Sequence, residues 1–180
     1  MVQKRNSLEL NIVELLLRKE CHVRGIAKKL NESHSTVSRK LNNLKKENVI
    51  DSRKEGKNKI FFLKKNIISR TYILQAELHK ITKVLRQHPK LGIIFEEILN
   101  KTDEKVIILF GSYAKGIAKK DSDIDVYIET KNRNCKKLIE DIHSKINVKI
   151  GPFNIKSPLI KEIIKDHIIF RGIEVFYEKK

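Results

Sequence analysis

Apolar residues recur along this chain in two periods, and the switches between them mark its elements. Leu8, Ile12, Leu15 and Leu16 fall at helical spacing, which predicts an amphipathic helix over residues 7–19. A short helix follows over 22–30, with Val23, Ile26, Ala27 and Leu30 inward. Asn31-Glu-Ser33 reads as a turn, and Ser33 or His34 can cap the next helix. That third helix, 34–47, carries the stripe Val37, Leu41, Leu44. From Ile50 to Leu63 the pattern becomes two strands joined by a Glu-Gly-Lys-Asn turn. Ile73, Leu74, Leu78, Ile81, Val84 and Leu85 then return to helical spacing over 67–88. His88-Pro89 closes that helix, because proline disfavours a helical residue before it.

A helix over 90–100 opens the second half, and Val106–Phe110 reads as a buried strand. Asp123–Ile128 is a second strand, alternating in period two, so Asp123 and Asp125 share one face. A helix near 134–145, a strand over 146–150, a helix over 158–168 and a last strand, Ile173–Tyr177, complete the chain. The class is α+β. The expected division is a module over 1–66, a connecting helix over 67–89 and a second module over 90–180. The apolar stripe of the connecting helix is wide enough to pack on a partner, which admits a homodimer.

Charge separates the two modules further. Residues 1–66 carry 17 Lys and Arg against 7 Asp and Glu, and residues 67–180 carry 22 against 15. A basic excess biased toward one end favours a polyanionic partner, nucleic acid first. On the third helix, Ser35, Thr36, Ser38, Arg39, Lys40 and Asn43 lie off the apolar stripe. Short hydrogen-bonding and basic side chains of this kind reach base edges and phosphates in a major groove.

The chemistry concentrates in Phe110-Gly-Ser-Tyr-Ala-Lys-Gly116 and Asp121-Ser-Asp-Ile-Asp-Val126. Two carboxylates roughly 7 Å apart on one strand face repel unless a cation lies between them. Mg²⁺ suits such oxygen ligands. The Gly111-Ser112 turn offers backbone N–H groups and a hydroxyl to phosphate oxygens. Lys115 and Lys119 can neutralise phosphate charge. The parts describe a site for a nucleoside triphosphate and its metal.

Gly111-Ser112 with Asp123-Ile-Asp125 resembles the signature of the polymerase-beta-type nucleotidyltransferases, and the fuller string is closest to their minimal branch. The resemblance covers about residues 92–180 and implies a mixed sheet with flanking helices. It implies nucleotide binding at Gly111 and Ser112, to which Lys115 inside the motif adds a cation, and catalytic metal binding, Mg²⁺ or Mn²⁺, at Asp123 and Asp125. It also implies a third carboxylate on a later strand; the strand in that place, Ile146–Ile150, offers Asn147 and Lys149 instead. Glu140, Asp141 and Glu162 are the substitutes to weigh. Ile26-Ala-Lys-Lys-Leu30, Ser35-Thr-Val-Ser-Arg39 and the basic hairpin resemble a winged helix-turn-helix domain. That resemblance implies double-stranded DNA as partner, with the third helix in the major groove. Arg53, Lys54, Lys57 and Lys59 of the wing would then touch the DNA.

Three functions follow from these parts. The first is a nucleotidyltransferase that moves a nucleoside monophosphate from an NTP to a hydroxyl. The second is a DNA-binding regulator with a degenerate, nucleotide-sensing domain, and the third is an antitoxin paired with a toxin protein. Cys21 and Cys135 lie in different modules without Cys-x-x-Cys spacing, so a reducing cytoplasm is the simple reading. No apolar span of membrane length and no secretory leader are expected, which leaves no membrane partner.

Overall fold

The computed structural model describes residues 2–180, with side chains from Ser7 onward. Two compact units divide the chain, residues 1–79 and 80–180. In the first, α1 (Val2–Arg18), α2 (Val23–Leu30) and α3 (His34–Lys46) precede a hairpin of β2 (Ile50–Glu55) and β3 (Asn58–Leu63). Ser33 caps α3: its Oγ accepts from the Thr36 N–H at 3.1 Å. Asn31 ends α2 in the left-handed region, φ 52°, which asparagine tolerates. Ile12, Leu16, Ile26, Val37, Leu41, Leu44, Ile50 and Phe61 form the core of this unit. A two-residue strand, β1 (Cys21–His22), pairs with β3 through Cys21–Phe61 and His22–Ile60 and makes a three-stranded sheet. Its length leaves no period to read, so the sequence pattern did not predict it. Helix, helix-turn-helix and wing together make a winged helix.

Helix α4 (Ile67–Gln87) runs across the division between the units. Ala76 enters the first unit's core and Val84 the second's.

In the second unit α5 (Lys90–Lys101) leads to β4 (Ile107–Leu109), α6 (Gly111–Lys115) and β5 (Ile124–Ile128). Then come α7 (Arg133–Glu140), β6 (Ile146–Ile150), α8 (Pro158–Lys165), β7 (Ile168–Arg171) and α9 (Ile173–Lys179). The sheet order is β6-β5-β4-β7, with β5 and β6 parallel and the other pairs antiparallel. This is the expected mixed sheet. Alternation along β5 sends Ile124, Val126 and Ile128 to a core beneath α5 and α7, and Tyr127 to one beneath α8 and α9.

The C-terminal elements differ from the pattern. Ile173–Tyr177 is helical, and the fourth strand is Ile168–Arg171, of which the pattern places Ile168 in the preceding helix and the rest in no element. An apolar run such as Ile168-Ile-Phe170 fits either period, and pairing with the open edge of β4 decides it. Gly172, at φ 86°, turns the chain from strand into helix. Helix α7 also ends early. The Glu140 carboxylate accepts from the Val148 N–H at 3.0 Å, tying the helix end to β6. Among the described residues no helix is long and apolar enough to cross a membrane.

A Cβ at position 172 would stand 2.2 Å from the Lys105 carbonyl oxygen, on a backbone with positive φ. Gly172→Ala is therefore expected to lower stability by about 1–3 kcal/mol, read from the urea midpoint. An unchanged midpoint would show that the turn relaxes freely.

Candidate functional site

Strand β5 lies between β4 and β6, so Asp125 has a neighbour on each side. The Phe110 N–H donates to the Asp125 carbonyl at 2.9 Å, which carries Gly111 against the Asp125 side chain. Gly111 has φ +68°, and a Cβ there would fall 2.1 Å from Asp125 Oδ2. Only glycine meets both demands. The turn and the second aspartate of the motif thus form one cradle, although 14 positions apart in sequence.

On the other side Asp125 pairs in register with Asn147 of β6. The Asn147 side-chain amide donates to Asp125 Oδ1 at 3.0 Å. The place where the family resemblance implies a third acid is therefore beside the aspartate, and an amide fills it. Asp123 precedes β5 and is exposed. Burial raises the Asp125 carboxyl above the ordinary aspartate range; the Asn147 bond opposes this and the charge of Asp123 adds to it. A half-buried carboxylate with a like charge nearby is one that a cation would stabilise. Among the described residues no three His, Cys, Asp or Glu side chains form a ready metal cluster. Mg²⁺ fits the donor set nonetheless, since it commonly takes one or two carboxylates and completes its shell with phosphate and water.

Ser112 is half-buried at the start of α6, and Lys115 is exposed at its end. Lys115 Nζ meets Glu162 Oε1 of α8 at 2.7 Å. Glu162, and more weakly Asp166 and Asp125, hold the Lys115 ammonium above its ordinary pKa. Glu140 and Asp141 lie elsewhere: the first binds β6 and the second caps α7. On the opposite face of β5, Ile124 borders a cavity of about 610 Å³ that also takes in Tyr113, Lys119, Lys120 and Lys145. Lys119 faces this cavity.

In the winged helix, Ser35, Arg39 and Asn43 are exposed on α3, with Thr36 and Ser38 half-buried. The Ser33 hydroxyl bonds those of Ser35 and Thr36 at the helix start. Lys40 is turned inward instead. Its Nζ pairs with Glu9 Oε1 at 3.0 Å, both side chains mostly buried, which takes it off the exposed face. Arg53 is held by Glu20 and Glu55. Lys54, Lys57 and Lys59 are exposed along the wing. Asn42 and Lys46 stand exposed on α3 too, and only the burial pattern of the helix, not a motif, could have singled them out.

Residues 91–171 match a family model described as "Nucleotidyltransferase domain". A Methanocaldococcus jannaschii protein named "Putative protein adenylyltransferase" is 31% identical over 102 residues, which are 52% of this chain and 96% of that protein. The chain belongs to the nucleotidyltransferase-domain family. Its first module matches, over residues 6–52, a model described as "Bacterial regulatory protein, arsR family". The two matches thus lie side by side on one chain. Two solved structures also resemble it. A homodimeric winged helix-turn-helix DNA-binding domain from Mycobacterium bovis is 25% identical, covers 48% of this chain and 82% of its own, and has a TM-score of 0.39. The adhesin competence repressor of Streptococcus pyogenes is 19% identical, covers 54% and 79%, and has a TM-score of 0.35.

The raised Asp125 carboxyl has a consequence for stability. A carboxyl whose folded pKa exceeds its unfolded value costs stability as pH rises from the ordinary aspartate range through the raised value, and the full cost persists above it. Asp125→Asn is expected to raise the melting temperature at neutral pH in chelator, with the gain closing as the solution is acidified. A lower melting temperature at neutral pH would contradict this assignment.

Proposed function

We propose that the second unit transfers a nucleoside monophosphate from an NTP to a hydroxyl acceptor, and that the winged helix holds the chain on double-stranded DNA. The observation that carries the first part is the Gly111–Asp125 cradle, in which the turn backbone stands against the carboxylate. Asp123 and Asp125 would hold a divalent metal, Mg²⁺ or Mn²⁺, and Gly111, Ser112 and Lys115 the triphosphate. The metal would neutralise charge on the phosphates as pyrophosphate leaves. Asp125 is fixed for this by strand pairing on both sides and by the Asn147 amide. The name of the Methanocaldococcus jannaschii relative supports ATP as donor, AMP as the transferred group and a protein hydroxyl as acceptor.

One observation favours a second reading. Asn147 presents a donor where the family resemblance implies an acid, so the site can bind a nucleotide yet turn it over slowly. The chain would then act chiefly as a DNA-binding regulator. For the DNA part, exposed Ser35, Arg39 and Asn43 on α3 and Lys54, Lys57 and Lys59 on the wing form the proposed interface.

Calorimetric titration of ATP and GTP, with and without Mg²⁺, tests the nucleotide site. Mg²⁺-dependent binding is expected to weaken at least about tenfold in the Asp123→Ala/Asp125→Ala variant. No binding by the wild type, or binding unaltered in the variant, would sink the assignment. On DNA, Arg39→Ala is expected to cost about 1–3 kcal/mol if that side chain reads a base edge. Affinity should fall linearly in log–log form as salt rises. Binding indifferent to salt would remove DNA from the proposal.

A further inference from the structure

The place of the third acid is occupied by Asn147, whose amide is already spent on Asp125 Oδ1. A neutral amide oxygen there brings no negative charge to a bound cation. The fold nevertheless delivers another carboxylate to the same neighbourhood. Ile160 and Ile163 anchor α8 in the core that also contains Phe110, the residue before Gly111. That anchoring leaves Glu162 on the outer flank of α8, beside the motif helix, where it bonds Lys115 across 47 residues of sequence.

Resting on the nucleotide-site reading, we propose that Glu162 supplies the carboxylate that β6 lacks. In the free chain it is held by Lys115; a bound triphosphate takes the lysine and frees the acid to face the metal. The exchange is electrostatically natural. The Lys115–Glu162 pair is well exposed on both sides, at 36% and 47%, and exposed ion pairs are weak. A triphosphate offers the same ammonium several negative oxygens, so it displaces a single carboxylate. Glu162 chiefly, and Asp125 weakly, favour the charged form of Lys115, and Glu162 also weighs on Asp125. The three groups therefore share one field before any ligand arrives.

Two titrations on the full chain with inorganic triphosphate as probe test this, one in chelator and one with Mn²⁺ counted by electron paramagnetic resonance. Glu162→Gln releases Lys115, so metal-free triphosphate is expected to bind a few-fold tighter. The same variant is expected to bind Mn²⁺ about tenfold more weakly in the presence of triphosphate. Asn147→Asp added to Glu162→Gln should restore Mn²⁺ binding, because it returns a carboxylate beside Asp125. Opposite signs in the two titrations, with rescue, support the exchange. Tightening of both, or change in neither, overturns it, because Glu162 is then only a counter-ion or a bystander. Failure of the wild type to bind triphosphate and Mn²⁺ at all overturns the nucleotide site itself, and this inference with it.

Discussion

The contact between the Gly111 backbone and the Asp125 carboxylate constrains everything around it. A turn can approach a charged side chain so closely only if its residue lacks a Cβ and its φ is positive. The approach in turn requires β4 and β5 to be paired in fixed register, since the Phe110–Asp125 backbone bond sets the distance. A slip of one residue would turn Asp125 to the opposite face and put Ile124 or Val126 at the turn. The apolar faces of β5, buried in separate cores on the two sides of the sheet, hold that register. The position of Asp125 thus depends on the packing of Ile124, Val126, Tyr127 and Ile128 on the two faces of its strand.

Much of this arrangement was legible in the sequence, and the reasons are local. The i, i+4, i+7 stripe of Val37, Leu41 and Leu44 needs no partner to announce a helix, and all three are fully buried. Alternation around Asp125 predicted its strand, and Ile146–Ile150 matched the observed β6 at both ends. Elements defined by partners far off in sequence were harder to read. Strand β1 has two residues and exists because β3 lies beside it. Strand β7 and helix α9 depend on the free edge of β4 and on Gly172.

The site divides along the same line. Gly111 and Asp125 stand in one motif because the turn backbone meets the carboxylate. The side chains that set the state of that motif come from elsewhere, Asn147 on β6 and Glu162 on α8. Spacing alone reveals neither contact. The sequence pointed to Asn147 as a departure and to Glu162 as one acid among three, and the fold separates Glu162 from Glu140 and Asp141 by what each one binds.

The buried pair of Lys40 with Glu9 bears on the winged helix in a different way. It fastens the exposed helix to α1 by a charge-assisted bond rather than by apolar packing alone, and both ions lie mostly out of water. Breaking such a pair on one side leaves an uncompensated charge, so the helix has few alternative seats. Its orientation is therefore set when the chain folds. Under the proposed DNA reading, a duplex would meet a helix already tied to α1, which would limit the conformational entropy lost on docking.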